Sequence, residues 1–108
     1  MNAKPHDGMV WVIDPQDKGN CSEEVVLPFE VIKEGFQSGL WDALNRSLNL
    51  LLDEYEGARV ENKQLRQFVL EIRALSKGLS ARTLSTLEEV AELAIRLEPT
   101  GMDIWVAM

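Results

Sequence analysis

The chain has 108 residues, 45% of them apolar and 27% charged, with a net charge of −7 from 18 acidic and 11 basic side chains. A chain of that length and composition buries about two-thirds of its unfolded surface in one folding unit and lies outside the disordered and disulfide-stapled classes. No stretch reaches the ~18 apolar residues of a membrane span or has the layout of a secretory leader, and an acidic whole disfavours unspecific contact with nucleic acid or an anionic bilayer, so a cytoplasmic protein without nucleic-acid or membrane partners is expected.

Residues 1–8 are polar and include Pro5, His6, Asp7 and Gly8; they read as a flexible tail ending in a turn, with 9–108 as the single domain. Met9, Val10, Trp11, Val12 and Ile13 form a short β-branched and aromatic run between breakers, which predicts a strand over 9–13. So unbroken a run implies cover on both faces, from a helix on one side and a partner on the other. Asp14-Pro15 to Asn20 reads as a loop. Over 24–32 two readings stay open. Val25, Leu27, Phe29 and Val31 alternate with Val26, Pro28, Glu30 and Ile32, as in a strand with Pro28 at an edge or bulge. Pro28 equally suits the start of a helix that aligns Ile32, Phe36 and Leu40, weakened by Gly35 and Gly39. The strand is preferred, because a lone first strand needs something to pair with.

At about 100° per residue, Leu40, Trp41, Leu44, Leu48, Leu51, Leu52 and Tyr55 fall within an arc of roughly 120°, predicting one amphipathic helix over 38–56, closed by Gly57. Leu50 points away from that arc. Leu65, Phe68, Val69, Ile72, Leu75 and Leu79 share one face and predict a second helix over 59–77, folded back on the first as an antiparallel hairpin. Ser85 with Glu88, and Thr86 with Glu89, offer capping boxes, so a third helix is expected over 85–98, stopped by Pro99. Its wide apolar arc implies contact with both sheet and hairpin. Ile104-Trp105-Val106 repeats the composition of Val10-Trp11-Val12, so a strand over 103–107 is expected beside the first. The fold class is α+β: an antiparallel helical hairpin and a buried third helix, packed on a small sheet of two or three strands that includes both ends of the chain.

One histidine and one cysteine, His6 and Cys21, cannot build a zinc site, a His-paired nucleophile or a paired-cysteine redox centre within one chain. No glycine-rich phosphate loop occurs, and Asp14, Asp17, Gly19, Asn20 and Glu24 lack the ligand spacing of a calcium loop. The carboxylate runs Asp53-Glu54-Glu56 and Glu88-Glu89-Glu92 sit at helix ends or on polar faces, where the helix dipole accounts for acids in a first turn. No catalytic residue, metal or cofactor is expected.

Charge is unevenly placed. Three lysines face seven acids over 1–39, one arginine faces four acids over 40–57, and one faces five over 83–108, whereas over 58–82 six cations face two acids. On the second predicted helix Arg59, Lys63, Arg66, Arg73 and Lys77 form a basic stripe with Leu70 in its middle. A solvated face explains such a stripe; an apolar residue among cations also suits contact with another subunit or an acidic partner.

The segment Ser22-Glu23-Glu24-Val25-Val26-Leu27-Pro28-Phe29, followed by Phe36-Gln37-Ser38-Gly39-Leu40-Trp41-Asp42-Ala43-Leu44, resembles a stretch of immunity proteins from bacterial contact-dependent growth inhibition. The resemblance ends before Arg59, where helical sequence replaces a β-rich continuation, and it carries no residue roles. It implies a class only: small acidic proteins that bind and block a toxic enzyme. The charge argument reaches the same class, because an acidic body steers a basic partner toward itself. The expected function is a non-catalytic inhibitor or immunity protein that occludes a basic surface of a toxin domain. A homodimeric structural or regulatory module is the alternative, and a small enzyme the third. The candidate partner-binding residues are Glu23, Glu24, Asp53 and Glu54 for the acidic body, and Lys63, Arg66 and Leu70 for the stripe.

Overall fold

The computed structural model describes residues 6–53 and 57–108, and of 18–20 the backbone only. Two strands open the chain, β1 (Gly8–Asp14) and β2 (Asp17–Leu27), followed by helices α1 (Phe29–Ser38) and α2 (Leu40–Leu48), strand β3 (Ala58–Val60), a 3₁₀ turn (Asn62–Gln64), helices α3 (Leu65–Leu75) and α4 (Ala81–Leu97), and strand β4 (Asp103–Ala107). The strands form one antiparallel sheet in the order β2-β1-β4-β3. The fold is α+β, with four α-helices and four strands among the described residues where the sequence predicts three helices and two or three strands. Among the described residues no helix is long and apolar enough to cross a membrane.

The strands expected over 9–13 and 103–107 are central and adjacent, with Val10 opposite Val106 and Trp11 opposite Trp105. Strand alternation then sorts the side chains. Val10, Val25, Leu27, Ala58, Val60, Ile104 and Val106 share one hydrophobic core with the helices. Met9, Trp11, Ile13, Val26 and Trp105 point the other way and stand outside that core. Among the described residues, the helices therefore pack on one face of the sheet only.

Four expected elements are corrected. The strand expected over 24–32 ends at Leu27, and Pro28 is the N-cap of α1, so both readings of this stretch hold in part. Proline offers no capping side chain, and the Asp7 carboxylate accepts from the Phe29 backbone N–H at 2.8 Å instead. Upstream, β2 runs through polar residues that have little strand propensity of their own. Pairing with β1 through the two-residue turn at Pro15-Gln16 holds them extended.

The helix expected over 38–56 is confined to α2 (Leu40–Leu48): α1 precedes it as a separate helix, a non-helical stretch follows over 49–53, and 54–56, with Tyr55, lie outside the described residues. Gly39, at φ 82°, breaks α1 from α2. The chain folds back there, and the Trp41 indole lies on Gly35 and donates to the Ile32 carbonyl at 2.8 Å. A Cβ on Gly35 would come within 2.2 Å of the indole nitrogen, so glycine at that position makes the corner. Asn49 at φ 55° ends α2. Asn45 then holds the extended chain by both backbone groups of Leu52, donating to its carbonyl at 3.0 Å and accepting from its N–H at 2.8 Å. Strand-like alternation follows: Leu50 and Leu52 are buried, and Leu51 is 76% exposed. The helical period had placed Leu50 outside and Leu51 inside.

The helix expected over 59–77 is β3, the 3₁₀ turn and the shorter α3, so a strand interrupts the predicted hairpin. The helix expected over 85–98 starts a turn earlier, at Ala81. Its cap is Ser80, whose hydroxyl accepts from the Thr83 N–H at 3.3 Å. The Glu34 carboxylate on α1 reinforces that end, accepting from the hydroxyls of Thr83 and Ser80 and from the Ser80 N–H at 3.0 Å. Those donors, the Thr83 hydroxyl first and Ser80 second, hold the Glu34 carboxyl below its ordinary value of 4.5.

Candidate interaction surface

The open sheet face is built from register alone. One row crosses all four strands: Glu23 on β2 opposite Trp11 on β1, Trp11 opposite Trp105 on β4, and Trp105 opposite Arg59 on β3. A bulge between Val10 and Trp11 sets this order, because Val25 pairs with Val10 and Glu23 with Trp11, leaving Glu24 as the extra residue. The Trp105 indole lies on Gly57, where a Cβ would come within 2.4 Å of Nε1. The two indoles are half-buried, flanked by Met9, Val26, Ile13 and Ala107.

The ends of this row differ electrostatically. Arg59 donates from Nε and Nη2 to Asp103, at 2.7 and 2.5 Å, and the other Asp103 oxygen accepts from the Asn62 N–H at 2.7 Å. Asn62 in turn donates to the carbonyls of Leu97, Glu98 and Met102, which ties the ends of α4 and β4 to the turn after β3. That end is neutral and structural. At the other end Glu23 and Glu24 are exposed on the edge strand, with Glu89 of α4 beside them, and no described cation pairs with any of the three.

The remaining candidates sit elsewhere. Asp53 is exposed in the connection between α2 and β3, and Glu54 lies outside the described residues. The expected basic stripe does not exist as such. Arg59 is on a strand, Lys63 is in the 3₁₀ turn, and four of the five cations are paired: Arg59 with Asp103, Lys63 with Glu61, Arg66 with Glu98 and Arg73 with Glu88. The stripe looked basic because three of these four counter-ions, Asp103, Glu98 and Glu88, come from residues distant in sequence. Leu70, 58% exposed, and Arg66 do come together, on the rim of a groove of about 260 Å³ between α3 and α4.

Sequence reasoning named Trp11 and Trp105 as strand residues without assigning them to a surface. The signal lay in the strand period, which puts Trp11 and Trp105 on the faces opposite Val10, Val12, Ile104 and Val106. Ile95, 49% exposed across the groove from Leu70, was also missed, since the helical wheel had counted it within the wide apolar arc. Among the described residues no group of three or more His, Cys, Asp or Glu side chains could hold a metal ion, and Cys21 is exposed. No protein-family model, curated protein or solved structure matches the chain at a significant level.

Proposed function

We propose that this chain is a non-catalytic binding protein of the inhibitor or immunity type, acting in the cytoplasm, that occludes a basic surface on a toxic enzyme with its open sheet face and β2 edge. The observation that carries the reading is the row Glu23, Trp11, Trp105 on a face that no helix covers. Two tryptophans on neighbouring strands supply large contact area with little rotamer entropy to lose, the usual character of interface anchors. Glu23 and Glu24 border them with charge that no described cation pairs, the arrangement that steers a basic partner into place. Strand β2 also has an unpaired edge, which an extended segment of the partner can join.

The test has two steps. Tagged protein is used to retain its partner at about 50 mM salt and again at about 500 mM, where exposed charges are screened beyond ~4 Å. The retained protein is then measured kinetically against variants. Reversing Glu23 and Glu24 slows association about tenfold or more at low salt. Trp11→Ala and Trp105→Ala act on dissociation, because buried anchors govern residence time. A partner that is acidic, or whose binding ignores both sets of changes, overturns the reading.

A further inference from the structure

The groove between α3 and α4 lies on the helical side of the molecule, away from the sheet face, and its charges are ordered. Along the α3 rim stand Arg66 and Arg73; along the α4 rim, facing them, stand Glu98 and Glu88, at 2.8 and 2.9 Å. Between the two ion pairs the rims are apolar, with Leu70 on α3 and Ile95 on α4, and the floor includes Val69 and Ala94. One rim is thus basic, the other acidic, and each carries an exposed aliphatic residue near its middle.

From this pattern we infer that the α3–α4 face binds a second copy of the same chain, about a two-fold axis parallel to the groove. That axis sets α3 of each copy over α4 of the other. Leu70 of one copy then meets Ile95 of the other, and Arg66 and Arg73 meet Glu98 and Glu88, with each contact made twice as an isologous interface requires. A two-fold across the groove would instead set arginine on arginine. The existing ion pairs do not use up the cations. Arg66 is 80% and Arg73 50% exposed, and a guanidinium with five N–H donors can hold a second carboxylate. A contact limited to two helices of each copy is small for a specific interface, the class to which weak and transient complexes belong. With −7 on each copy opposing approach, the dimer is weak, in the range of about 100 μM.

Sedimentation velocity of the full chain from about 10 μM to 1 mM, at about 0.15 M salt, should show reversible monomer–dimer exchange. Leu70→Glu and Ile95→Lys, both at exposed positions, should each raise the dissociation constant about tenfold or more, with circular dichroism and melting temperature nearly unchanged. Mixing these two variants should restore association, because the mixed dimer contains one native Leu70–Ile95 contact and one contact of opposite charges. Leu70→Ser, which adds no charge, should also weaken the dimer. A chain that stays monomeric at 1 mM, a dimer indifferent to these substitutions, or a mixture no better than its components would each overturn the inference.

Discussion

The sheet face with its tryptophans and the groove between α3 and α4 are made differently. On the sheet, Trp11 and Trp105 meet because β1 and β4 pair in one register, and residues 94 positions apart in sequence become cross-strand neighbours. On the helices, Leu70 and Ile95 stand on opposite rims of one groove because α3 and α4 pack side by side, each residue sitting just off its helix's buried stripe. The sheet surface is bordered by acids that no described cation pairs, whereas the helical one is bordered by charges that are already paired. What a charged residue can do for a partner depends on whether its own fold has compensated it. By that standard the acidic edge of β2 keeps its long-range pull, and the former basic stripe has lost most of its own.

The most severe way to break the comparison is to delete residues 102–108. Strand β4 lies between β1 and β3, and it places Ile104 and Val106 in the core at 0 and 2% exposure. Its loss removes both flanking pairings together with two buried aliphatics worth ~1.5–3 kcal/mol each. Neither surface should survive, and the truncated chain should lose its cooperative melting transition and aggregate through the exposed β1 edge.

A narrower cut separates the surfaces. Gly57→Ala drives a methyl into the Trp105 indole and should cost about 1–3 kcal/mol by overpacking. Because the strain falls on the sheet face, the tryptophan emission should shift, while self-association through Leu70 stays as in the parent. A dimer lost together with the indole environment would show that the two faces are coupled.

Smaller again is the contrast between the anchors themselves. Trp11→Ala removes a half-buried indole from the middle of the sheet face, at about 1–2 kcal/mol in a denaturant series. Leu70→Ala should stay within about 0.5 kcal/mol, as exposed positions do. Equal costs would mean that the sheet face is no better packed than the helical one.

The slightest effect concerns pH and the support of α4. The Glu34 carboxyl titrates lower in the folded chain than in the unfolded one, so its contribution is complete above the ordinary value of 4.5 and disappears as pH falls through the lower folded value. Glu34→Gln should therefore be less stable than the parent at neutral pH. The two melting curves should approach each other below pH 4.5, where the parent takes up its proton. A constant gap across that range would show that the Glu34 charge contributes nothing to the cap.

By itself the sequence determined the α+β class, the strands at both ends of the domain, their adjacency, and the buried face of α3. These follow from local periods of 2.0 and 3.6 residues, which a chain carries wherever it folds. Tertiary structure decided the rest. Leu50, Leu51 and Leu52 fit a helical arc on paper, but Asn49 adopts a left-handed conformation and Asn45 grips Leu52, so the chain leaves the helix early. The start of α4 moved to Ala81 because Glu34, distant in sequence, completed a cap that local capping boxes had placed at Ser85. The candidate surface was equally illegible. Which residues flank Trp11 depends on a bulge in β2, and which cations remain free depends on acids arriving from other elements, and both are properties of pairing that no local window of sequence contains.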